Sequence, residues 1–187
     1  AHIHPCDLSD DAQSNAMIEA IKREFGGIDI LINNAGRSIR RRVTESYDRL
    51  HDYRRTMELN YFASIRLILA FLPGMKERGA GQVVNILTMG CQFRTPRFSA
   101  YIASKLALDA ASRCIAAELK DQNIKLSQVY LPLVRTPMIT PTQLYSQVAA
   151  MDVESAAERS LTALITGPPR VMMPLGVIAE LMHLAAP

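Results

Sequence analysis

Cysteine is scarce in this chain and forms no recognisable pattern. The 187 residues include three cysteines, Cys6, Cys91 and Cys114. An odd number without metal-ligand spacing argues against a disulfide framework and against a cysteine-based zinc site. We therefore expect reduced thiols in a cytoplasmic protein, and no metal centre.

Long apolar runs and a strong net charge are also missing. The longest apolar candidate, 67–72, is far shorter than the ~20 residues that span a bilayer. No signal-peptide pattern is visible. The formal net charge of +3 gives no argument for a nucleic acid or a membrane surface as a partner. With 49% hydrophobic and 21% charged residues, the composition predicts one globular domain, 1–187.

Helical and strand patterns alternate along the chain. The strand candidates are short, β-branched and apolar on both faces, which is typical of a parallel sheet covered by helices on both sides. This predicts an α/β fold with ligands beyond the carboxyl ends of the strands. The predicted strands are 28–32, 82–87, 125–131 and 170–173, and the helices are 9–25, 47–75 with a break near Pro73, 101–121 and 152–166, with an irregular segment 132–141.

Tyr101 and Lys105 are the most informative pair in the sequence. Four residues apart on a helix, they share one face, so the ammonium lies beside the phenol. A neighbouring cation favours the phenolate, which predicts a lowered pKa for Tyr101 and a proton donor usable near neutral pH. The ordinary alternative is a surface tyrosine packed on a lysine stem.

Further polar residues stand where the predicted strands and helices meet. Asn34 and Gly36 follow the first strand, Thr88 follows the second, and Thr136 follows the third. Asn60 interrupts an apolar helical stretch, where a buried amide must find partners. Each has an ordinary alternative, namely a turn, a strand end or an exposed polar face.

The order and spacing of these residues carry a family resemblance. Asn33-Asn34-Ala35-Gly36 comes first, then Asn60, then Thr88 thirteen residues before Tyr101, then Tyr101-x-x-x-Lys105, and finally Val134-x-Thr136. In this order the chain resembles the short-chain dehydrogenase/reductases. The resemblance implies a Rossmann-like, doubly wound parallel sheet, an enzyme with NADPH or NADH as cofactor, and a carbonyl substrate.

The resemblance also implies roles for single residues. Tyr101 would protonate the carbonyl oxygen, and Lys105 would lower the Tyr101 pKa and bind the nicotinamide ribose. Asn60 would hold a water that links Lys105 to solvent, and Thr88 stands where the family usually has serine. The residues implied to bind the rest of the cofactor are Asp7 and Leu8 at the adenine, Asn34, Ala35 and Gly36 along the adenosine, and Val134 and Thr136 at the carboxamide.

Three longer stretches resemble a narrower group. The segments 32–41, 96–101 and 132–139 are similar to the reductase domain of bacterial two-domain fatty acyl-CoA reductases. This implies NADPH-dependent reduction of an acyl thioester or fatty aldehyde. Reduction of another carbonyl, 3-oxoacyl or steroid-like, stays open, as does a non-catalytic interaction module that lost its cofactor turn.

One part of the family pattern has no counterpart here. The first strand, its Gly-rich phosphate turn and the second strand are missing, so the chain is expected to be a fragment. Without them the strand at 28–32 becomes an open apolar edge. We expect these residues alone to be unstable or inactive.

Two surface features have open interpretations. The arginines at 37, 40, 41 and 42 meet either the phosphates of coenzyme A or merely solvent and a neighbouring domain. The helices around Asn60–Leu72 and Tyr101–Ala117 carry extra small and apolar residues. In the family the matching helices pack against a partner subunit, which implies a homo-oligomer, although ordinary core packing explains these residues too.

Overall fold

Four parallel strands form a single sheet in the order β1-β2-β3-β4. In the computed structural model, residues 1–139, 142, 145 and 147–185 are described. The strands are β1 (Ile30–Asn33), β2 (Gly81–Thr88), β3 (Ile124–Leu131) and β4 (Arg170–Val171). Their shared direction gathers the carboxyl ends of all four at one edge of the sheet.

The helices of the described chain alternate with these strands. A π-helical turn, Glu58–Phe62, joins the second helix to the third without a break. Asp10 and Asp152 cap two helix starts with their carboxylates, as capping residues do. The helices are α1 (Asp11–Phe25), α2 (Leu50–Met57), α3 (Ala63–Glu77), α4 (Gly90–Phe93), α5 (Ser99–Glu118), α6 (Val153–Thr166) and α7 (Pro174–Ala185).

Helices cover both faces of the sheet, which confirms the predicted α/β class. On one face Val83 and Leu126 pack with Ile68 and Leu108 from α3 and α5. On the other face, Val84 and Val129 pack against α6, together with the fully buried Ala163. The strands are therefore apolar on both sides, as their uninterrupted hydrophobic pattern predicted.

Several element bounds differ from the predictions. The break near Pro73 is wrong, since α3 runs to Glu77 and the proline lies in its last turns, where one missing N–H removes only one bond. The first strand begins at Ile30 rather than at residue 28, because Gly26 and Gly27 hold a turn with positive φ. The sequence analysis missed α4 and α7 entirely. Within the irregular segment, 137–139 forms a 3₁₀ turn, and Thr140 and Pro141 lie outside the described residues.

β1 lies at the edge of the described sheet. It pairs with β2 on one side, and Ile30 and Ile32 are 50% and 46% exposed. The predicted open edge at this strand is therefore present. Phe62, Leu69 and Leu106 are also exposed on the helices named for subunit contact. Oligomer formation through those helices stays a prediction.

Candidate active site

Tyr101 and Thr88 meet at the carboxyl edge of the sheet. Thr88 is the last residue of β2, and Tyr101 lies in the first turn of α5. The Thr88 hydroxyl lies close enough to the Tyr101 phenol to lower its pKa. The Thr88 Oγ1 also accepts from the backbone N–H of Gly90 at 3.1 Å, which fixes the hydroxyl at the start of α4. The structure thus brings together the two hydroxyls that the sequence separated by thirteen residues.

The pKa of Tyr101 moves in the direction opposite to the prediction. Burial raises it to about 12, the neighbouring Cys91 thiol adds to the rise, and the hydrogen bond with Thr88 opposes it. The prediction that Lys105 lowers this pKa is therefore wrong for the polypeptide itself. The physical reason is that burial removes water from the phenolate and destabilises this charged form by more than the polar neighbours of Tyr101 stabilise it.

Lys105 is buried, with only 4% of its surface exposed. Its ammonium donates to the backbone carbonyl of Ile86, in β2, at 2.8 Å. Burial lowers the pKa of Lys105 to about 8. A side chain added at Gly36 would lie 3.4 Å from the Lys105 Nζ. Lysine, β2 and the glycine turn after β1 therefore converge on one small space.

Asn60 lies in the π-helical turn and is completely buried. Its Oδ1 accepts from the backbone N–H of Arg37 at 2.7 Å, and its Nδ2 donates to the Arg37 carbonyl and to Ser104 Oγ, both at 2.9 Å. Ser104 in turn donates to the Tyr101 carbonyl at 2.7 Å. One amide therefore ties the turn after Gly36 to the helix that carries Tyr101. The predicted water held by Asn60 stays a prediction.

A second buried polar chain fixes the same elements at a deeper level. Asn33 donates from Nδ2 to Asn85 Oδ1 at 2.8 Å, and Asn85 donates to Ser112 Oγ at 2.9 Å. These bonds link β1, β2 and α5. The spacing between the glycine turn and the Tyr101 helix is thus held by two hydrogen-bonded networks.

The residues assigned to the adenosine side border a cleft. A small cleft lies between the end of β1 and α3. Leu8, Asn34 and Ala35 lie along it, as does the buried hydroxyl residue Ser64. Asp7, next to Leu8, folds its carboxylate onto the N–H and hydroxyl of Ser9, and this lowers the pKa of Asp7. The structure therefore brings Leu8 together with the Asn-Asn-Ala-Gly turn.

Val134 and Thr136 lie in the segment that follows β3. Val134 forms a parallel bridge with Met151, reinforced by a 2.9 Å hydrogen bond from the Arg135 N–H to the Met151 carbonyl. Thr136 begins the 3₁₀ turn by accepting from the Ile139 N–H at 3.1 Å. The base of this segment is thus fastened at the carboxyl edge of the sheet. Its contact with a cofactor carboxamide stays a prediction.

Sequence reasoning missed two polar groups of this site. Ser104 connects Asn60 to the Tyr101 helix, and the signal was its position three residues after Tyr101, on the buried side of a helix. Cys91 lies close enough to Tyr101 and Lys105 to influence both pKa values, and burial raises the pKa of its thiol to about 12. No sequence pattern marks Cys91.

The arginine-rich loop is anchored by one carboxylate. Asp52 of α2, with a 4% exposed side chain, pairs with Arg41 at 3.1 Å, Arg49 at 2.9 Å and Arg55 at 2.5 Å. The hydrogen bond from Arg49 is the main cause that lowers the pKa of Asp52 to about 2. Asp52 thereby holds the loop that follows Gly36 against α2. Because the Arg41 guanidinium is paired with Asp52, we assign it a structural role and not a role in ligand binding.

Replacing that carboxylate tests its structural role. Asp52→Asn should lower the free energy of unfolding by about 2 to 3 kcal/mol at pH 7, because three guanidinium groups lose their shared anion. The Asp52 pKa lies below its unfolded value, so this contribution is full above pH ~4 and is lost as the pH falls toward ~2. Urea unfolding at pH 7 and pH 3 measures both effects.

Asp29→Asn is the matched control for this change, since Asp29 is 84% exposed and pairs with a single arginine, Arg78. It should cost less than about 0.5 kcal/mol. Equal losses from the two variants at pH 7 would contradict an anchoring role for Asp52.

The described residues contain no group of three or more His, Cys, Asp or Glu side chains arranged to hold a metal ion. The cysteines are free in the structure. Among the helices of the described ranges, none combines the length and the apolar character needed to cross a membrane.

Comparison with known proteins adds independent findings to this geometry. The family model described as short chain dehydrogenase matches residues 1–145. A fatty acyl-CoA reductase of Acinetobacter baylyi is 47% identical over all 187 residues, which correspond to 63% of that protein. Other curated relatives, at 46% identity, are covered over 55% of their length, so the chain spans little more than half of such proteins.

Solved structures agree with the fold. A short-chain dehydrogenase from Streptomyces avermitilis superimposes with a TM-score of 0.83 at 30% identity, over 96% of this chain and 73% of that one. A short chain dehydrogenase from Burkholderia cenocepacia, solved in complex with NADP, gives a TM-score of 0.80 at 26% identity, over 96% and 72%. The likeness extends over nearly the whole described sheet and its helices.

Proposed function

Because the chain belongs to the short chain dehydrogenase family, we propose that it reduces a carbonyl group with hydride from NADPH or NADH. Tyr101 is the proton donor in this proposal, and the substrate is a fatty acyl-CoA or a fatty aldehyde. The observation that carries the proposal is that the Thr88 hydroxyl lies close enough to Tyr101 to lower its pKa, at the carboxyl edge of a parallel sheet, with the buried Lys105 one helical turn further along α5.

The residues present suit a nicotinamide nucleotide. Gly36 leaves a space that a single Cβ would fill, since that atom would lie 3.3 Å from Asn60 Oδ1 and 3.4 Å from Lys105 Nζ. A flat ligand or a ribose hydroxyl fits where a side chain does not. A cleft lined by Leu8, Asn34 and Ala35 lies next to Gly36 in the same turn after β1. Leu8, Asn34, Ala35 and Gly36 would hold the adenosine half.

The proposed roles follow from the chemistry of each group. When bound, the nicotinamide supplies the hydride. The Tyr101 phenol, with its pKa near 12, is fully protonated at neutral pH and donates its proton to the carbonyl oxygen as negative charge develops there. Thr88 donates a second hydrogen bond to the same oxygen. Lys105, whose pKa is about 8, sits at a value suited to passing a proton near neutral pH.

The substrate class rests on similarity rather than on geometry. The Acinetobacter baylyi relative is named a fatty acyl-CoA reductase, and its match covers every residue of this chain. We therefore take an acyl thioester or fatty aldehyde as the first substrates to examine. Every assay uses the protein as its natural gene encodes it.

Consumption of the reduced cofactor tests the proposal directly. The purified protein should oxidise NADPH or NADH with a long-chain acyl-CoA or the matching aldehyde, and product analysis should identify the aldehyde or alcohol. Parallel reactions contain a 3-oxoacyl thioester and a steroid ketone. Activity only with the 3-oxoacyl thioester or the steroid ketone would support reductase activity and refute the fatty substrate. Cofactor binding without turnover of any of these carbonyl compounds would refute reductase activity.

Thr88 provides a more specific test. Thr88→Val keeps the shape of the side chain and removes its hydroxyl, so kcat should fall by about 10- to 100-fold as the developing oxyanion loses a donor. Thr88→Ser keeps the hydroxyl and is the matched control. It should stay within about threefold of the parent, because only a methyl group is lost. Similar kcat values for the valine and serine variants would remove Thr88 from the chemistry.

A further inference from the structure

Positive charge is concentrated in two neighbouring segments of this chain. Residues 37–55 and 94–97 contain nine arginines and three carboxylates, a net charge of +6. The whole chain has a formal net charge of only +3, so all remaining residues together carry −3. The basic character of the sequence is therefore local, and it belongs to the part that surrounds the candidate site.

The two segments are joined at the rim of that site. The Arg41 N–H donates to the Arg97 carbonyl at 2.7 Å. The first segment begins directly after Gly36, beside Lys105 and Asn60. The second leads into α5, where the Phe98 and Tyr101 rings lie 6.4 Å apart. Both segments thus adjoin elements of the candidate site: the first follows Gly36, and the second leads into the helix that carries Tyr101.

Four of these arginines lie in the loops 38–42 and 94–97 with exposed side chains, and Arg54, which is also exposed, is set aside because it lies on α2. We call Arg40, Arg42, Arg94 and Arg97 the arginine rim. All four are exposed, and no ion pair of the described residues involves any of them. Arg41 is excluded because it pairs with Asp52, and Arg37 because it lies close enough to Asp7 to affect that carboxylate.

Backbone conformation sets two of the four apart. Arg94 and Arg97 adopt positive φ angles of 49° and 72°, a region that glycine and asparagine occupy at lower cost. A residue kept in this region at some energetic expense favours a role for its side chain. Guanidinium groups bind phosphate oxygens with paired, charge-assisted hydrogen bonds.

We propose that the arginine rim binds the phosphate groups of coenzyme A, placing the acyl thioester before Tyr101. The inference rests on the proposed function, since it names how the carrier of that substrate is held. Coenzyme A carries its phosphates at one end of a flexible arm and the thioester at the other. Exposed arginines in the loops next to the site and a proton donor at the start of α5 match those two ends.

Binding of coenzyme A without an acyl group tests the rim independently of catalysis. Calorimetry on the whole protein should detect binding that weakens about tenfold or more between about 0.05 M and 0.5 M salt, because exposed charges are screened. Arg94→Gln with Arg97→Gln should raise the Kd about tenfold at low salt. Arg23→Gln is the matched control. Arg23 is exposed in the last turn of α1, which leads to the amino end of β1, at the edge of the sheet opposite the site. The Kd of this variant for coenzyme A should stay within about twofold of the parent value.

Outcomes for the rim and for the proposed function separate cleanly. The proposed role of the rim is wrong if the Kd of the unaltered protein for coenzyme A does not depend on salt. It is also wrong if the double variant has the same Kd as the parent. Either result stands even if the protein reduces aldehydes. Salt-dependent binding that the double variant weakens supports the rim, even if no carbonyl is reduced and the proposed function fails. Reduction of acyl groups only on an acyl carrier protein, with no coenzyme A bound, overturns the rim in favour of a protein partner.

A substrate comparison provides the catalytic counterpart. The ratio of kcat/KM for an acyl-CoA to that for the same acyl group on N-acetylcysteamine, which has no phosphate, should fall about tenfold in the double variant. An equal loss on both thioesters indicates damage to the site and contradicts a phosphate contact.

Discussion

Tyr101→Phe should lower kcat for carbonyl reduction by about 10²- to 10⁴-fold, the range that general acid catalysis contributes. The phenylalanine ring keeps the packing against Phe98 and loses only the hydroxyl near Thr88. The proton donor is thus removed while the shape of the site remains. Steady-state rates of cofactor oxidation with the best carbonyl substrate measure the loss, and the Kd of the reduced cofactor should change by less than about threefold.

Tyr53→Phe is the matched control for this substitution. The Tyr53 hydroxyl shares a 2.7 Å hydrogen bond with Ser99 at the start of the same helix, but it lies outside the site. Its removal should leave kcat within about threefold, since an exposed hydrogen bond contributes little. If Tyr101→Phe retained the parent rate while still binding cofactor, acid catalysis by Tyr101 would be excluded.

The raised pKa of Tyr101 gives this result a further use. In the polypeptide alone, nothing offsets the loss of hydration around the phenol sufficiently to bring its pKa toward neutrality. A neutral phenol is the correct form for donating a proton, so reduction suits the site as it stands. Oxidation of an alcohol requires the phenolate, and we therefore expect that direction to be favoured only well above neutral pH.

The fold was predictable where the pattern of side chains is strong. β3 was placed at 125–131 and is found at Ile124–Leu131, because its apolar residues are buried on both faces and leave no competing assignment. α7 was missed although Pro174 stands at its first position, a known helix start. Its many apolar residues hide the helical period, and its exposed Leu175 and Ile178 give no polar face.

The candidate site was predictable in its members but not in its connections. The order of motifs named Asn60, Thr88, Tyr101 and Lys105. The π-helical turn around Asn60 was not foreseeable, since its partners Arg37 and Ser104 lie 23 and 44 residues away in sequence. The predicted direction of the Tyr101 pKa shift was wrong for a related reason. Helical spacing places a cation nearby, but only the folded chain shows how much water the phenol loses.

Lys105→Met should lower kcat by about 10²-fold or more and also change how stability depends on pH. The buried ammonium has a pKa near 8, against 10.5 for an exposed lysine. Between these values the unfolded chain holds a proton that the folded chain has released, so stability rises with pH. From pH 7 to pH 9 the parent should therefore gain about 1 kcal/mol relative to the methionine variant.

The difference between the two proteins is the quantity to measure, because other groups titrate in the same range. Burial raises the pKa of Cys91 and of Tyr101, so both lower stability above pH ~9 and ~10, and measuring no higher than pH 9 keeps their contribution small. Lys22→Met, which removes an exposed lysine paired with Glu19 on α1, should reproduce neither the loss of turnover nor the change in slope. Parallel urea curves at pH 7 and pH 9 for parent and Lys105→Met would mean that the ammonium is as well hydrated as in the unfolded chain, and its proposed place in proton transfer would then lack its physical basis.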